Sequence, residues 1–252
     1  MKRLPAITIF ISALLLFLLE LLVGRVALPR FGGSASIWTT CLLFFQVMLV
    51  AGYGWAHLLA TKVAPSRHAL AQAVLGVVTL ASLGWQWHAW GSPLISDTTN
   101  WNGTPLDVLG FLVRTTALPF LLLSTTASLV QSAVSGEQGT NAFRLYSDSN
   151  PGALVALILY PVAIEPLFAM TVQPRALTVG LVVFLVCLVL SLRGRVASSK
   201  PTSLGSLRVS WVLLPALGTA LLSAATNALC QDLTPTPLLW AFPLAAYLVT
   251  FI

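Results

Sequence analysis

The sequence predicts an all-α membrane protein: a polytopic transmembrane helix bundle of about seven complete helices and a truncated eighth. Three observations carry that expectation. The 252 residues are 57% hydrophobic and only 8% charged, against about a quarter charged in a water-soluble domain, too few charges to dress a surface facing water. Apolar stretches of bilayer length recur along the chain, separated by breakers. The basic residues gather in alternate connections rather than in one run.

The first stretch, 5–28, is long enough at about 1.5 Å per residue to cross a hydrocarbon core of about 30 Å. Arg25 and Pro29 stand where a cleaved signal sequence would carry small residues, so it reads as a retained helix. The second, 37–61, carries Gln46 near mid-depth and the small-residue pair Gly52 and Ala56. The third, 69–90, ends in Trp85, Trp87 and Trp90, which with Trp101 read as an interfacial aromatic belt around His88. A loop over 91–110 follows, with Asp97, Asn100, Asn102 and Asp107; its Asn102-Gly103-Thr104 sequon is a weak motif.

The fourth stretch, 111–133, contains Ser124-Thr125-Thr126-Ala127-Ser128, hydroxyls suited to bonding across helices or to their own preceding turn. The fifth, 145–168, opens with Asp148 and Asn150-Pro151-Gly152, where a kink or unwinding is expected, and closes on Pro161, Glu165 and Pro166. The sixth spans 175–193. Residues 194–210, basic and rich in Ser, Pro and Gly, read as a linker. Beyond it, 211–229 carries Ala216, Ala220, Ala224 and Ala228, a stripe for close helix contact, and 237–252 supplies about sixteen residues of an eighth span, short of the twenty a crossing needs. The expected organisation is a six-helix bundle over 1–193, a cytoplasmic linker over 194–210, and the start of a second, truncated set over 211–252. Six helices, a basic linker and a restart match the major-facilitator-like plan of parallel-repeat transporters.

The net charge of +6 is a topology signal rather than a nucleic-acid footprint. With a cytoplasmic N-terminus, Lys2, Arg3, Lys62, Arg67, Arg144, Arg193, Arg195, Lys200 and Arg208 fall inside, and only Arg30, Arg114 and Arg175 outside. That orientation puts the N-terminus on the cytoplasmic side of the membrane, with the lipid bilayer as the chain's partner.

Candidate chemistry lies in the charges at membrane depth, where an unpartnered charge costs several kcal/mol. Glu20 falls in the outer half of the first helix, with Arg25 above it. The two are separated by about 140° around the helix, so their partners must come from elsewhere. Arg114, Glu165 and Arg175 come to the same level, giving an expected intramembrane cluster of Glu20, Arg25, Arg114, Glu165 and Arg175. For the four shallower residues structural ion pairing near the interface is expected; for Glu20 a ligand or proton role and a helix-locking role both stand. A second candidate site, at the inner end of the fifth helix, comprises Arg144, Asp148 and Asn150, with a polar helix start as the favoured reading. No catalytic pattern, cofactor-binding motif or metal-ligand spacing appears: His57, His68 and His88 are isolated, and His57 and His68 read as interfacial. Cys41, Cys187 and Cys230 read as helix-contact residues, although Cys41 and Cys230 fall on a side where a disulfide is permitted.

Several stretches, in order, resemble the membrane region of bacterial spermidine synthase-like (fused major facilitator/spermidine synthase) membrane proteins. They include Glu20-Leu21-Leu22-Val23-Gly24-Arg25, Pro29-Arg30-Phe31-Gly32-Gly33-Ser34, and Trp38-Thr39-Thr40-Cys41 through Gln46. The likeness continues with Ala51-Gly52-Tyr53-Gly54-Trp55-Ala56-His57, Leu118-Pro119-Phe120, Glu165-Pro166-Leu167 and Pro237-Leu238-Leu239-Trp240. The resemblance implies a membrane domain that anchors or serves a downstream aminopropyltransferase-like domain, using decarboxylated S-adenosylmethionine and putrescine and absent from these residues. The loop from Lys62 to His68 lacks the Gly-x-x-x-Asp-Arg pattern of true major facilitator transporters, which leaves the N-terminal part of a secondary transporter for a small cationic solute as the second reading.

Overall fold

A computed structural model describes residues 3–32, 35–95, 103–134, 148–193, 209–230 and 244–249. Among these the architecture is a bundle of α-helices, six of them long and apolar enough to cross a membrane. The chain is a polytopic helical membrane protein.

Helix α1 (Leu4–Phe31) is the centre of the bundle. Apart from Thr8, Ser12, Glu20 and Arg25 its membrane stretch is apolar round the helix, and Ile9, Leu15, Leu16, Leu19, Leu21, Leu22, Val23 and Ala27 are buried. Its most extensive contacts are with α6 (Ser149–Leu159) and α7 (Gln173–Leu192), and it also touches α2 (Ala35–Lys62), α4 (Pro105–Ser124) and α5 (Thr126–Val134). Helix α3 (His68–Trp90) closes the far side against α4 and α7.

With no hydrophobic drive between helices in lipid, close backbone approach carries the packing. A Cβ on Gly152 would strike the Phe10 carbonyl oxygen of α1, and one on Gly52 would stand 2.7 Å from the Ser124 Cβ of α4. These are the two glycines at which the expected small-residue contacts occur. The stripe Ala216, Ala220, Ala224 and Ala228 lies instead exposed on α8 (Ser210–Cys230) among the described residues. Residues 244–249 form a helical turn whose Leu248 is buried against the bundle. Most of the expected linker, 194–208, and most of the eighth span lie outside the described residues.

Two expectations need correction. Helix α4 begins at Pro105, six residues earlier than its apolar stretch, because Thr104 and Asp107 form a reciprocal capping box: the Asp107 N–H reaches the Thr104 hydroxyl, and the Thr104 N–H donates to Asp107 Oδ2 at 2.9 Å. Asp107 is therefore a helix residue. Nor does Asn150-Pro151-Gly152 unwind α6, since Pro151 sits in the first turn, where its missing N–H would have had no helical partner. The distortion falls later. Pro161 lacks the N–H of a regular turn, and Tyr160–Ile164 adopts a π-helical turn in which the Glu165 N–H reaches back five residues to the Tyr160 carbonyl. One further turn, Glu165–Leu167, ends the span.

Candidate functional site

The structure sorts the expected cluster into three separate environments. Arg25 and Glu165 meet: Arg25 Nη1 lies 3.0 Å from Glu165 Oε1, and the two side chains are 33% and 28% exposed. The same nitrogen reaches the Glu165 carbonyl oxygen at 3.5 Å. The partner of Arg25 thus comes from another helix, on the residue directly after the π turn.

Arg114 and Arg175 do not join that pair. Their guanidinium carbons lie 5.3 Å and 5.1 Å from the ring centres of Trp90 and Trp87, on the last turn of α3. Arg30 lies 5.2 Å over Phe111. Stacking on aromatic faces helps hold a guanidinium at the membrane edge, so the aromatic belt supplies contacts for two of the expected cluster's arginines.

Glu20 stands apart from both groups. Four residues along α1, about 40° away, Gly24 lies against the Trp38 ring of α2, and Glu20 shares that side. Leu18 and Leu22, about 160° from Glu20, face α6 and α7. Glu20 is half-buried and makes no ion pair or side-chain hydrogen bond among the described residues.

On the face opposite Glu20, α1, the π turn and α7 enclose a half-open cavity of about 240 Å³. Leu15, Leu18 and Leu22 form one wall, and Ile164, Phe168 and Leu177 stand across from them. Its two polar side chains satisfy each other: the Tyr160 hydroxyl donates to Gln173 Oε1 at 3.1 Å, and Gln173 Nε2 donates to the Phe168 carbonyl at 2.8 Å. Gln173 thereby holds the end of the span just beyond the π turn, where the Phe168 carbonyl has left the helix.

At the opposite end of the bundle the second expected site is described only in part. Arg144 lies outside the described residues, Asp148 precedes α6 without a side-chain capping bond, and Asn150 is buried in the first turn. The helix-start reading is the one this geometry matches. His68, expected at the interface, is buried; its Nε2 lies 3.0 Å from both the Leu59 and Val63 carbonyl oxygens, closing the C-terminal end of α2. His57 is exposed, as expected of an interfacial residue. Cys41 is a free, buried thiol.

Besides Gln173, two buried amides do not stand out in the sequence pattern. Gln86 joins α3 to α4 through the Arg114 and Thr115 carbonyls, and accepts the Leu94 N–H at 2.8 Å. Gln72, fully buried, accepts from Thr125 at 3.4 Å, beside the one-residue break between α4 and α5, and its Nε2 has no partner. Glutamines inside an apolar third stretch were the available signal. Among the described residues no group of three His, Cys, Asp or Glu side chains could hold a metal.

No family model matches the sequence, and no curated protein or solved structure matches it either.

Proposed function

We propose that the chain is a membrane domain that takes a small cationic solute of polyamine type at Glu20 and anchors or serves a soluble, aminopropyltransferase-like domain of the same protein. The observation that carries the ligand reading is the isolation of Glu20, a carboxylate at membrane depth without a cation among the described residues. An ammonium group from outside would supply the missing charge. The downstream domain rests on the resemblance to spermidine synthase-like membrane proteins, and no cofactor is assigned to this segment.

The secondary-transporter reading has its own support in two interruptions of the spans, the break at Thr125 and the π turn at Tyr160–Ile164, since discontinuous helices are where transporters bind solutes. The orientation follows the charges: Arg3, Lys62, Arg67 and Arg193 cap the end of the bundle where α1 starts, which supports a cytoplasmic N-terminus in a bacterial inner membrane.

Two measurements test this. Reading the gene past codon 252 should find further helices and then a glycine-rich αβ domain; an immediate stop codon would remove the fused-domain reading. Equilibrium binding of radiolabelled spermidine to the full chain in nanodiscs should be saturable and suppressed by excess putrescine. Absence of saturable binding would remove the cationic-ligand reading, whatever the gene shows.

A further inference from the structure

The cavity beside the π turn has no role in the reading above, because it opens on the face of α1 away from Glu20. Its lining decides what could fill it. Apart from Tyr160 and Gln173 the walls are aliphatic or aromatic, and those two polar groups already bond to each other and to the Phe168 carbonyl. No lining donor is left for a polar ligand, so the occupant of the cavity is hydrocarbon.

Its position narrows the class further. From Leu15 to Leu22 the α1 wall runs about 10 Å along the helix, within stretches long enough to span the bilayer. Phe168 and Val172, at its open side, are half exposed. Arg25 follows Leu22 by three residues, on the same side of α1, and Glu165 follows Ile164 directly, which puts the ion pair at the rim. The rim therefore offers one positive and one negative group, both still partly exposed and 3.0 Å apart.

We propose that this cavity holds one acyl chain of a zwitterionic phospholipid with a primary amine, of the phosphatidylethanolamine type. The chain fills the space between α1 and α7, the phosphate lies on the Arg25 guanidinium, and the ammonium lies on the Glu165 carboxylate. Exchanging the protein's own pair for two pairs with the headgroup keeps the rim neutral and retains a charge partner for each group. A quaternary choline headgroup has no N–H for Glu165, so ethanolamine is preferred over choline.

The test is photolabelling of the full chain in phosphatidylcholine nanodiscs doped with phosphatidylethanolamine that carries a diazirine within one acyl chain, with adducts mapped by mass spectrometry. The expected adducts fall on residues 15–22 and 172–177, and unlabelled phosphatidylethanolamine competes them away where phosphatidylcholine does not. Ala176→Trp, which fills the cavity from α7, should reduce these adducts about tenfold; Leu18→Phe, which fills it from α1, does the same if the first variant fails to fold. Exchanging Arg25→Met together with Glu165→Met should abolish the headgroup preference and leave chain labelling in place. Adducts spread evenly over exposed positions of α2, or adducts at the cavity that survive both filling substitutions in folded protein, would overturn the proposal.

Discussion

The two sides of α1 carry the same kind of residue in opposite circumstances. Toward α6 and α7, Arg25 meets Glu165 beside a π turn, and Gln173 bonds the Phe168 carbonyl just past it. Toward α2, Glu20 stands without a charge partner or hydrogen bond among the described residues. In lipid a paired carboxylate joins helices, whereas an unpaired one costs stability and is retained for what it binds. Helical geometry underlies the distinction: Glu20 and Arg25 are five positions apart, and about 140° of helix turns them toward different neighbours.

The comparison can be broken most severely at the contact that sets the paired side. A methyl group on Gly152 would strike the Phe10 backbone, which cannot rotate away. Gly152→Ala should therefore cost about 3 kcal/mol, read as a lowered thermal midpoint in detergent, and an unchanged midpoint would mean that α6 does not approach α1 so closely. Next in size is Gln173→Leu, which deletes the acceptor for Tyr160 and the donor to Phe168. A loss of about 2 kcal/mol is expected, with faster amide exchange confined to residues 160–168. Exchange that speeds up along the whole of α6 would show that the π turn is held by something else. Smaller still is Arg25→Met. Because the pair is about a third exposed, its loss should cost about 1 kcal/mol, and adding Glu165→Met should restore most of that by removing the stranded carboxylate. Additive losses in the double variant would contradict a direct pairing.

Much of this architecture was legible before any coordinates. Apolar stretches located the six bilayer-length spans because lipid demands an uninterrupted run of nonpolar side chains. That Arg25 needed a partner from another helix also followed from helical geometry. The identity of that partner followed less directly, because Glu165 comes just after the π turn at Pro161, and a proline alone does not specify whether a helix kinks, breaks or gains a residue. Trp87 and Trp90 read as interfacial residues; that they would carry Arg175 and Arg114 depends on which helices neighbour α3. The capping box at Thr104 and Asp107 was present in the sequence and was obscured by the loop-like residues before it. His68 and Gln86 bond to carbonyls that only the folded chain brings near.

The central claim is that Glu20 serves a ligand while Arg25 and Glu165 serve the fold. It is tested most directly by comparing Glu20→Gln with the Arg25→Met, Glu165→Met double variant, measuring spermidine binding and the thermal midpoint on the same nanodisc samples. Glu20→Gln should abolish saturable binding and leave the midpoint where it was or raise it, and the double variant should keep binding. A Glu20→Gln protein that binds spermidine normally but unfolds at a lower temperature would contradict the account and make Glu20 a structural residue.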